Sequence, residues 1–281
     1  QFNEVSGMKG AKDGQAFDSD YNCRNTLIQY NYSHDNEGGF LLVCNYGGLR
    51  NGNDGTIVRY NLSVNDCVNG IADTRTIHIS GPITNTLIHS NVIVPPPGQD
   101  HPLVLAANWN LVSPGDPDMY PDGVRFANNI FCVAGKGRFK FDGTKGLVFD
   151  HNVVFGDVTG VPVGAGNLTA APLFINPAGG RNGFRLQPSS PCIGAGSSLT
   201  GGTLPLYPPD MSDRLCGQDL FGRPLPLDSK LDIGVWQSAF TVLDDFESYR
   251  PGEQPRLALK VAGGHKEYLA ITDKTAATGK Q

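Results

Sequence analysis

Between Asp18 and Glu37 the chain gathers five carboxylate or imidazole side chains, Asp18, Asp20, His34, Asp35 and Glu37, within twenty residues. Glycoside hydrolysis needs one carboxyl to protonate the leaving oxygen. A second acts as nucleophile or activates water, at ~5–5.5 Å or ~6.5–9.5 Å from the first. Asp18 or Asp20 with Asp35 or Glu37 could form that pair, Asp20 and Asp35 being the first choice and Asp18 and Glu37 the reserves. His34 suits a proton relay or an orienting donor beside Asp35, and Gly38-Gly39 would let a sugar approach the backbone. The competing explanation is that these Asp side chains and Asn36 cap turns. A third is calcium, for which Asp18, Asp20, Asp35 and Asn36, or Asp116, Asp118 and Asp122, offer oxygen ligands. Neither set has the D-x-[DN]-x-[DN]-G spacing.

What positions these residues is an internal repeat. Thr26-Leu-Ile-Gln-Tyr-Asn31, Thr56-Ile-Val-Arg-Tyr-Asn61, Thr86-Leu-Ile-His-Ser-Asn91, Val124-Arg-Phe-Ala-Asn-Asn129 and Leu147-Val-Phe-Asp-His-Asn152 align without gaps, each ending in Asn. Their irregular spacing fits stacked coils that keep one strand each while the loops vary. The residue three before each Asn (Ile28, Val58, Ile88, Phe126, Phe149) is apolar and should face a core. The residue after it (Tyr32, Leu62, Val92, Ile130, Val153) is expected to start a second inward-facing strand. Asn in a shared bend can bond its own turn and the amide of the next coil ~4.8 Å away, which predicts an asparagine ladder. The N-x-S/T sequons at Asn31, Asn61 and Asn167 then have a structural reading besides glycosylation. Two before each Asn stand Gln29, Arg59, His89, Ala127 and Asp150. The first three predict an outward polar stripe that grips hydroxyls or a carboxylate, with Arg75 a further candidate for substrate binding.

Composition agrees with an all-β chain. There are 22 Asp and 21 Asn but only 5 Glu and 10 Lys, a bias from helix formers towards turn formers. A net charge of −5 argues against a nucleic-acid binder, and no apolar run approaches a membrane span. Six cysteines without C-x-x-C spacing give no zinc signature; a bridge between Cys192 and Cys216 is the pairing to look for.

The repeat resembles the right-handed parallel β-helix superfamily that contains pectate lyases, polygalacturonases and many secreted bacterial carbohydrate-active proteins. Pro172-Leu-Phe-Ile-Asn-Pro177, Phe184-Arg-Leu-Gln-Pro-Ser-Ser-Pro-Cys-Ile-Gly-Ala-Gly196, Gly222-Arg-Pro and Leu231-Asp-Ile-Gly234 are similar to the segment that closes such β-helices. Cys192 departs from the usual small apolar residue, and Trp236-Gln237 from the usual aromatic-Glu pair. The resemblance implies a single-stranded right-handed parallel β-helix over residues 1–171 and a loop-rich closing segment over 172–237. Residues 238–281 look like the first strands of a lectin-like sandwich, and further coils are expected before Gln1. Of the polygalacturonase motifs only Arg138-Phe-Lys140 is present, and the pectate lyase R-x-P-x-x-R is missing. The expected function is therefore a secreted, periplasmic or cell-surface glycoside hydrolase acting on a complex polysaccharide without a cofactor. The alternatives are a calcium-dependent polysaccharide lyase and a non-catalytic glycan binder.

Overall fold

The computed structural model describes residues 1–10, 14–45, 52–68, 75–97, 100–108, 116–197, 199, 217–225 and 230–238. The chain divides into two units, Gln1–Ala239 and Phe240–Gln281, and every described residue belongs to the first. The expected sandwich segment, beyond Ser238, lies outside the described residues.

Fifteen strands follow one another: β1 (Glu4–Ser6), β2 (Phe17–Ser19), β3 (Leu27–Gln29), β4 (Tyr32–His34), β5 (Leu41–Cys44), β6 (Ile57–Arg59), β7 (Leu62–Val64), β8 (Ile77–Ser80), β9 (Thr84–His89), β10 (Val92–Val94), β11 (Asp100–Ala107), β12 (Asp122–Ala127), β13 (Ile130–Phe141), β14 (Val148–Asp150) and β15 (Val153–Thr159). All pairings between them are parallel. From β1 to β9 each strand pairs with the one three places on, so the chain passes through three faces per coil and stacks coil on coil. The first face carries β1, β4, β7 and β10, the second β2, β5, β8 and β11, and the third β3, β6, β9, β12 and β14. β13 and β15 run through both the first and second faces, with a register shift between Cys132 and Lys136 where they turn. The fold is all-β and parallel, with no α-helix among the described residues and none long and apolar enough to cross a membrane.

The bend between third and first faces explains the repeated Asn. Asn61 Oδ1 accepts from Asn31 N at 3.0 Å and Asn31 Nδ2 at 2.9 Å, and Asn61 Nδ2 donates to Asn91 Oδ1, Ile28 O and Arg59 O at 3.0 Å each. The same pattern continues through Asn129 and Asn152. It reaches one coil further in each direction than the aligned repeat, to Asn3 and Asn167. The residue before each ladder Asn from Asn3 to Asn152 lies in the left-handed region: Phe2, Tyr30, Tyr60, Ser90, Asn128 and His151, with φ from 50 to 58°. A non-glycine residue there costs about 1–2 kcal/mol, which the buried amide bonds offset. Where no such ladder runs, before the third face, the same conformation falls to Asn25, Gly55, Asn85, Gly123 and Gly146, residues that tolerate it.

A second file of buried amides follows the first face. Asn36 Oδ1 accepts from Met8 N at 2.9 Å, and Asn36 Nδ2 donates to Asp66 Oδ1 at 2.8 Å. Asp66 Oδ2 takes the Ser33 and Ser63 hydroxyls at 2.6 Å each. Continuing the strand register, the equivalent position in the next coil is Pro96, which offers neither an N–H nor a side-chain oxygen. An Asn at 66 would need an acceptor for its amide there. An acceptor-only carboxylate does not, so the file ends on Asp. Burial pushes this carboxyl above the ordinary Asp value while the Ser33, Ser63 and Asn36 donors pull it back.

Ile28, Val58, Ile88, Phe126 and Phe149 lie inside the coil, as expected, packed with Leu41, Ile77, Ile93, Phe131 and Val154. The residue after each ladder Asn does not. Leu62, Val92, Ile130 and Val153 face outward into a second apolar cluster with Phe174, Phe184, Leu186, Cys192, Ile233 and Val235 of the closing segment. The strand period starts afresh after the bend, so Ile93, Phe131 and Val154, two after Asn, are the inward set.

The closing segment is tied by two buried carboxylates that accept from backbone. Asp219 takes Phe221 N, Arg223 N and Gln237 N at 2.8–2.9 Å, while Asp232 takes Gly194 N at 2.8 Å and Ser238 N. Gln237 Oε1 accepts from Asp232 N at 2.9 Å and its Nε2 donates to Asp232 O at 3.0 Å. Cys192 is a buried free thiol whose pKa is raised by burial to about 11; Cys216, its expected partner, lies outside the described residues.

Two stability predictions follow from these files. Asn61→Ala strands two buried donors of Asn31 and removes a donor from Ile28 O and from Arg59 O, which keeps Tyr30 N, and at about 1–3 kcal/mol per unsatisfied group urea unfolding should show a loss of about 3 kcal/mol or more. Asp66→Asn should cost about 2 kcal/mol because the Ser33 and Ser63 hydroxyls lose their acceptor, whereas Asp→Asn at exposed Asp20 should leave the midpoint unchanged.

Candidate functional site

His34 ends β4 on the outer side of the first face, beside Tyr32, whose ring it stacks on at 4.5 Å. Its two ring nitrogens each meet a carboxylate: Nδ1 lies 2.7 Å from Asp35 Oδ2 and Nε2 lies 3.1 Å from Glu4 Oε1. Asn65, one coil on, donates Nδ2 to Asp35 Oδ1 at 2.5 Å. Asp35 and Asn65 both adopt φ near 56°, so the bend repeats and the Asn65 amide comes directly under the Asp35 carboxylate. The side chains of Glu4 and Asp35 are 67% and 58% exposed and that of His34 only 21%, which leaves the carboxylates open to solvent around a half-sheltered imidazole.

The electrostatics follow from these contacts. The Asn65 amide and the His34 ring hold the Asp35 carboxyl below the usual Asp value. Partial burial works against the imidazolium, but hydrogen bonds to Asp35 and Glu4 outweigh it and raise His34 above its ordinary value. Asp35 is therefore held ionised to lower pH than a free Asp carboxyl, and His34 holds its proton to higher pH than a free imidazole.

The other candidates separate from this trio. Glu37 is half-buried in the same bend, its N–H donating to Met8 O at 2.9 Å. Asp18 and Asp20 belong to the second face, where both are exposed. Asp18 stands opposite Leu42, and Asp20 Oδ1 accepts from Tyr21 N and the Cys44 thiol at 2.9 Å each. Gly38 and Gly39 are explained by backbone packing, not by space for a sugar. A Cβ at Gly38 would meet Gly14 at 2.2 Å, and one at Gly39 would meet Arg75 O at 1.8 Å. Arg75 is half-buried at the start of the next coil's second face.

Gln29, Arg59 and His89 do stand in one file on the third face, but they are 1%, 1% and 4% exposed. Arg59 Nε donates to Gln29 Oε1 at 2.8 Å, and Gln29 Nε2 to Gln1 Oε1 at 2.7 Å. Burial, with Arg59 and Arg125 nearby, drives His89 well below the ordinary histidine value, so it is neutral. This file is buried, not an open stripe. Further along the same face Arg125 grips Asp150 through two bonds of 2.9 Å.

The acidic sets read as calcium ligands are dispersed. Asn36 is buried in the amide file, Asp116 caps a short 3-10 turn by accepting Asp118 N at 3.0 Å, and Asp118 lies 3.9 Å from Lys145. Among the described residues no three His, Cys, Asp or Glu side chains converge as a metal site. The sequence reading does not single out Glu4 or Asn65, and it names Tyr32 only as the start of a strand. Asn3 stands 28 residues before Asn31, and aligning it as a ladder position would have placed Glu4 beside Tyr32.

The trio has a defined pH window. The raised His34 value means its ion-pair stabilisation is fully present below the ordinary histidine value and is lost as pH rises through the raised one. The lowered Asp35 value means its contribution is present above the ordinary Asp value and is lost as pH falls through the lowered one. A proton NMR titration of His34 should give a midpoint above 6.5, and Asp35→Asn should move that midpoint down. An unchanged midpoint would show that the two side chains do not interact in solution.

No protein-family model matches the chain. A lacto-N-biosidase of Bifidobacterium longum subsp. longum is 42% identical to it over 65 residues, which is 23% of this chain and 4% of that relative, so the chain spans a small fraction of the relative's length.

Proposed function

We propose that the chain belongs to a secreted, periplasmic or cell-surface carbohydrate-active protein, a right-handed parallel β-helix whose flank hydrolyses glycosidic bonds in a complex polysaccharide. The observation that carries the reading is the solvent-facing Glu4, His34 and Asp35 trio, supported by the stretch similar to a lacto-N-biosidase. An imidazole bridging two carboxylates sets them roughly 7 Å apart, within the ~6.5–9.5 Å of an inverting pair. Asp35, kept ionised by Asn65 and His34, activates the water; Glu4 delivers the proton to the leaving oxygen; His34 fixes their separation and returns protons between them. The Tyr32 ring beside the trio offers an apolar surface for a sugar face.

A second reading, a non-catalytic glycan binder, draws on the same geometry. Both Asp35 oxygens already accept hydrogen bonds, as they would if the carboxylate only tied coils together. Reducing-sugar release from a panel of polysaccharides separates the two. Asp35→Asn and Glu4→Gln should each lower turnover by about 10²–10⁴-fold with folding intact, while Asp20→Asn serves as a matched control on the second face. Glycan retention without release, in parent and variants alike, overturns the hydrolase in favour of the binder. Unsaturated product absorbing in the near ultraviolet, abolished by chelation, overturns it in favour of the lyase.

A further inference from the structure

The outer side of the first face carries two rows of different character. Leu62, Val92, Ile130 and Val153 form the first and are wholly buried in the cluster they share with the closing segment. Two residues further along each strand, the second row runs His34, Val64, Val94, Cys132 and Phe155, one residue per coil in continuing register. Val64, Val94 and Cys132 pack against the same cluster but stay half-buried, so part of each is open to solvent, and the Phe155 ring is 36% exposed. At the head of this row stands His34 with Asp35 and Glu4 on its two ring nitrogens. Single exposed apolar side chains are ordinary, whereas a file of four continuous with a polar constellation has the make-up of a ligand site.

Neighbouring coils are ~4.8 Å apart, close to the advance of one pyranose ring in an extended chain, so the row presents one apolar contact per sugar. A hexopyranose joined through equatorial bonds turns a patch of axial C–H groups to one side and its hydroxyls to the rim. That patch is what a valine, a thiol and a phenyl ring can cover. A uronate or sulfated sugar fits badly, because its anion would lie over side chains that offer it no hydrogen bond and would meet the Glu4 and Asp35 carboxylates at the head of the row. We propose that Val64, Val94, Cys132 and Phe155 form the binding strip for a neutral polysaccharide of β-linked hexopyranoses, laid along the stack so that one linkage reaches the Glu4, His34 and Asp35 trio. The inference rests on the reading of the trio as a sugar site and names the substrate which that reading leaves open.

Affinity electrophoresis of the full chain in gels containing barley β-glucan, β-1,4-galactan, glucomannan, dextran or polygalacturonate tests this. At least one of the three neutral β-linked polymers should retard the chain, and dextran and polygalacturonate should not. Val94→Asp should weaken the retardation by about tenfold, and Phe155→Ala, at an exposed position, should give part of that loss with the parent's thermal midpoint. A second measurement needs no variant: the retarding polymer should slow alkylation of Cys132 by N-ethylmaleimide, followed by peptide mapping, and leave the half-buried thiol of Cys23, between β2 and β3, at its own rate. Free mobility in all three neutral gels, equal retardation by polygalacturonate, or a Cys132 alkylated as fast with the polymer as without it overturns the proposal. Reducing-sugar release keeps the two readings apart. Retardation and protection without release leave the strip standing and remove the hydrolase, whereas release untouched by Val94→Asp and Phe155→Ala removes the strip and leaves the hydrolase.

Discussion

The amide ladder is the interaction on which the rest depends. Each rung commits a residue to left-handed backbone and buries a primary amide, two costs that only a partner above and below can repay. A single coil could not meet them, so coils form together or not at all, as nearest-neighbour stability in stacked repeats requires. The ladder sets which strand lies on which, and so decides that His34, from the second coil, meets Glu4 of the first and sits one bend from Asn65 of the third.

Much of this was legible in the sequence, because a repeat that recurs in hydrogen-bonded register must keep the same residue in the same place. Ile28 to Phe149 and Asn31 to Asn152 could be assigned by alignment alone. The limits of the ladder could not. Only Gln1 and Phe2 stand before Asn3 in the given sequence, too few to display the apolar strand that marks the other rungs, and Asn167 follows Asn152 by only 15 residues. The outward residues were misjudged for a different reason. Alternation says which side of a strand a residue faces, not whether that side is wet, and the closing segment turns Leu62, Val92, Ile130 and Val153 into a second core.

The candidate site shows the same division. Asp35 and His34 were legible because they are adjacent in sequence. Glu4 was not, since its contact crosses thirty residues and rests on the register of β1 with β4. Asp20 and Asp35, paired on proximity in the chain, lie on different faces because the coil turns between them. Gln29, Arg59 and His89 stand in file as expected, yet they are buried rather than open to solvent, because alternation gives the side a residue faces and not what covers it.

Gln237 reads both backbone groups of one residue, accepting from the Asp232 N–H and donating to the Asp232 carbonyl. A glutamate there, as in the closing segments this one resembles, could make both bonds only when protonated, so that joint would loosen as pH rose through the carboxyl's own pKa. The amide has no such dependence. The clasp over the outer core is thus indifferent to acidity at this point, and its response to pH falls to Asp219, whose carboxyl burial pushes above the ordinary Asp value.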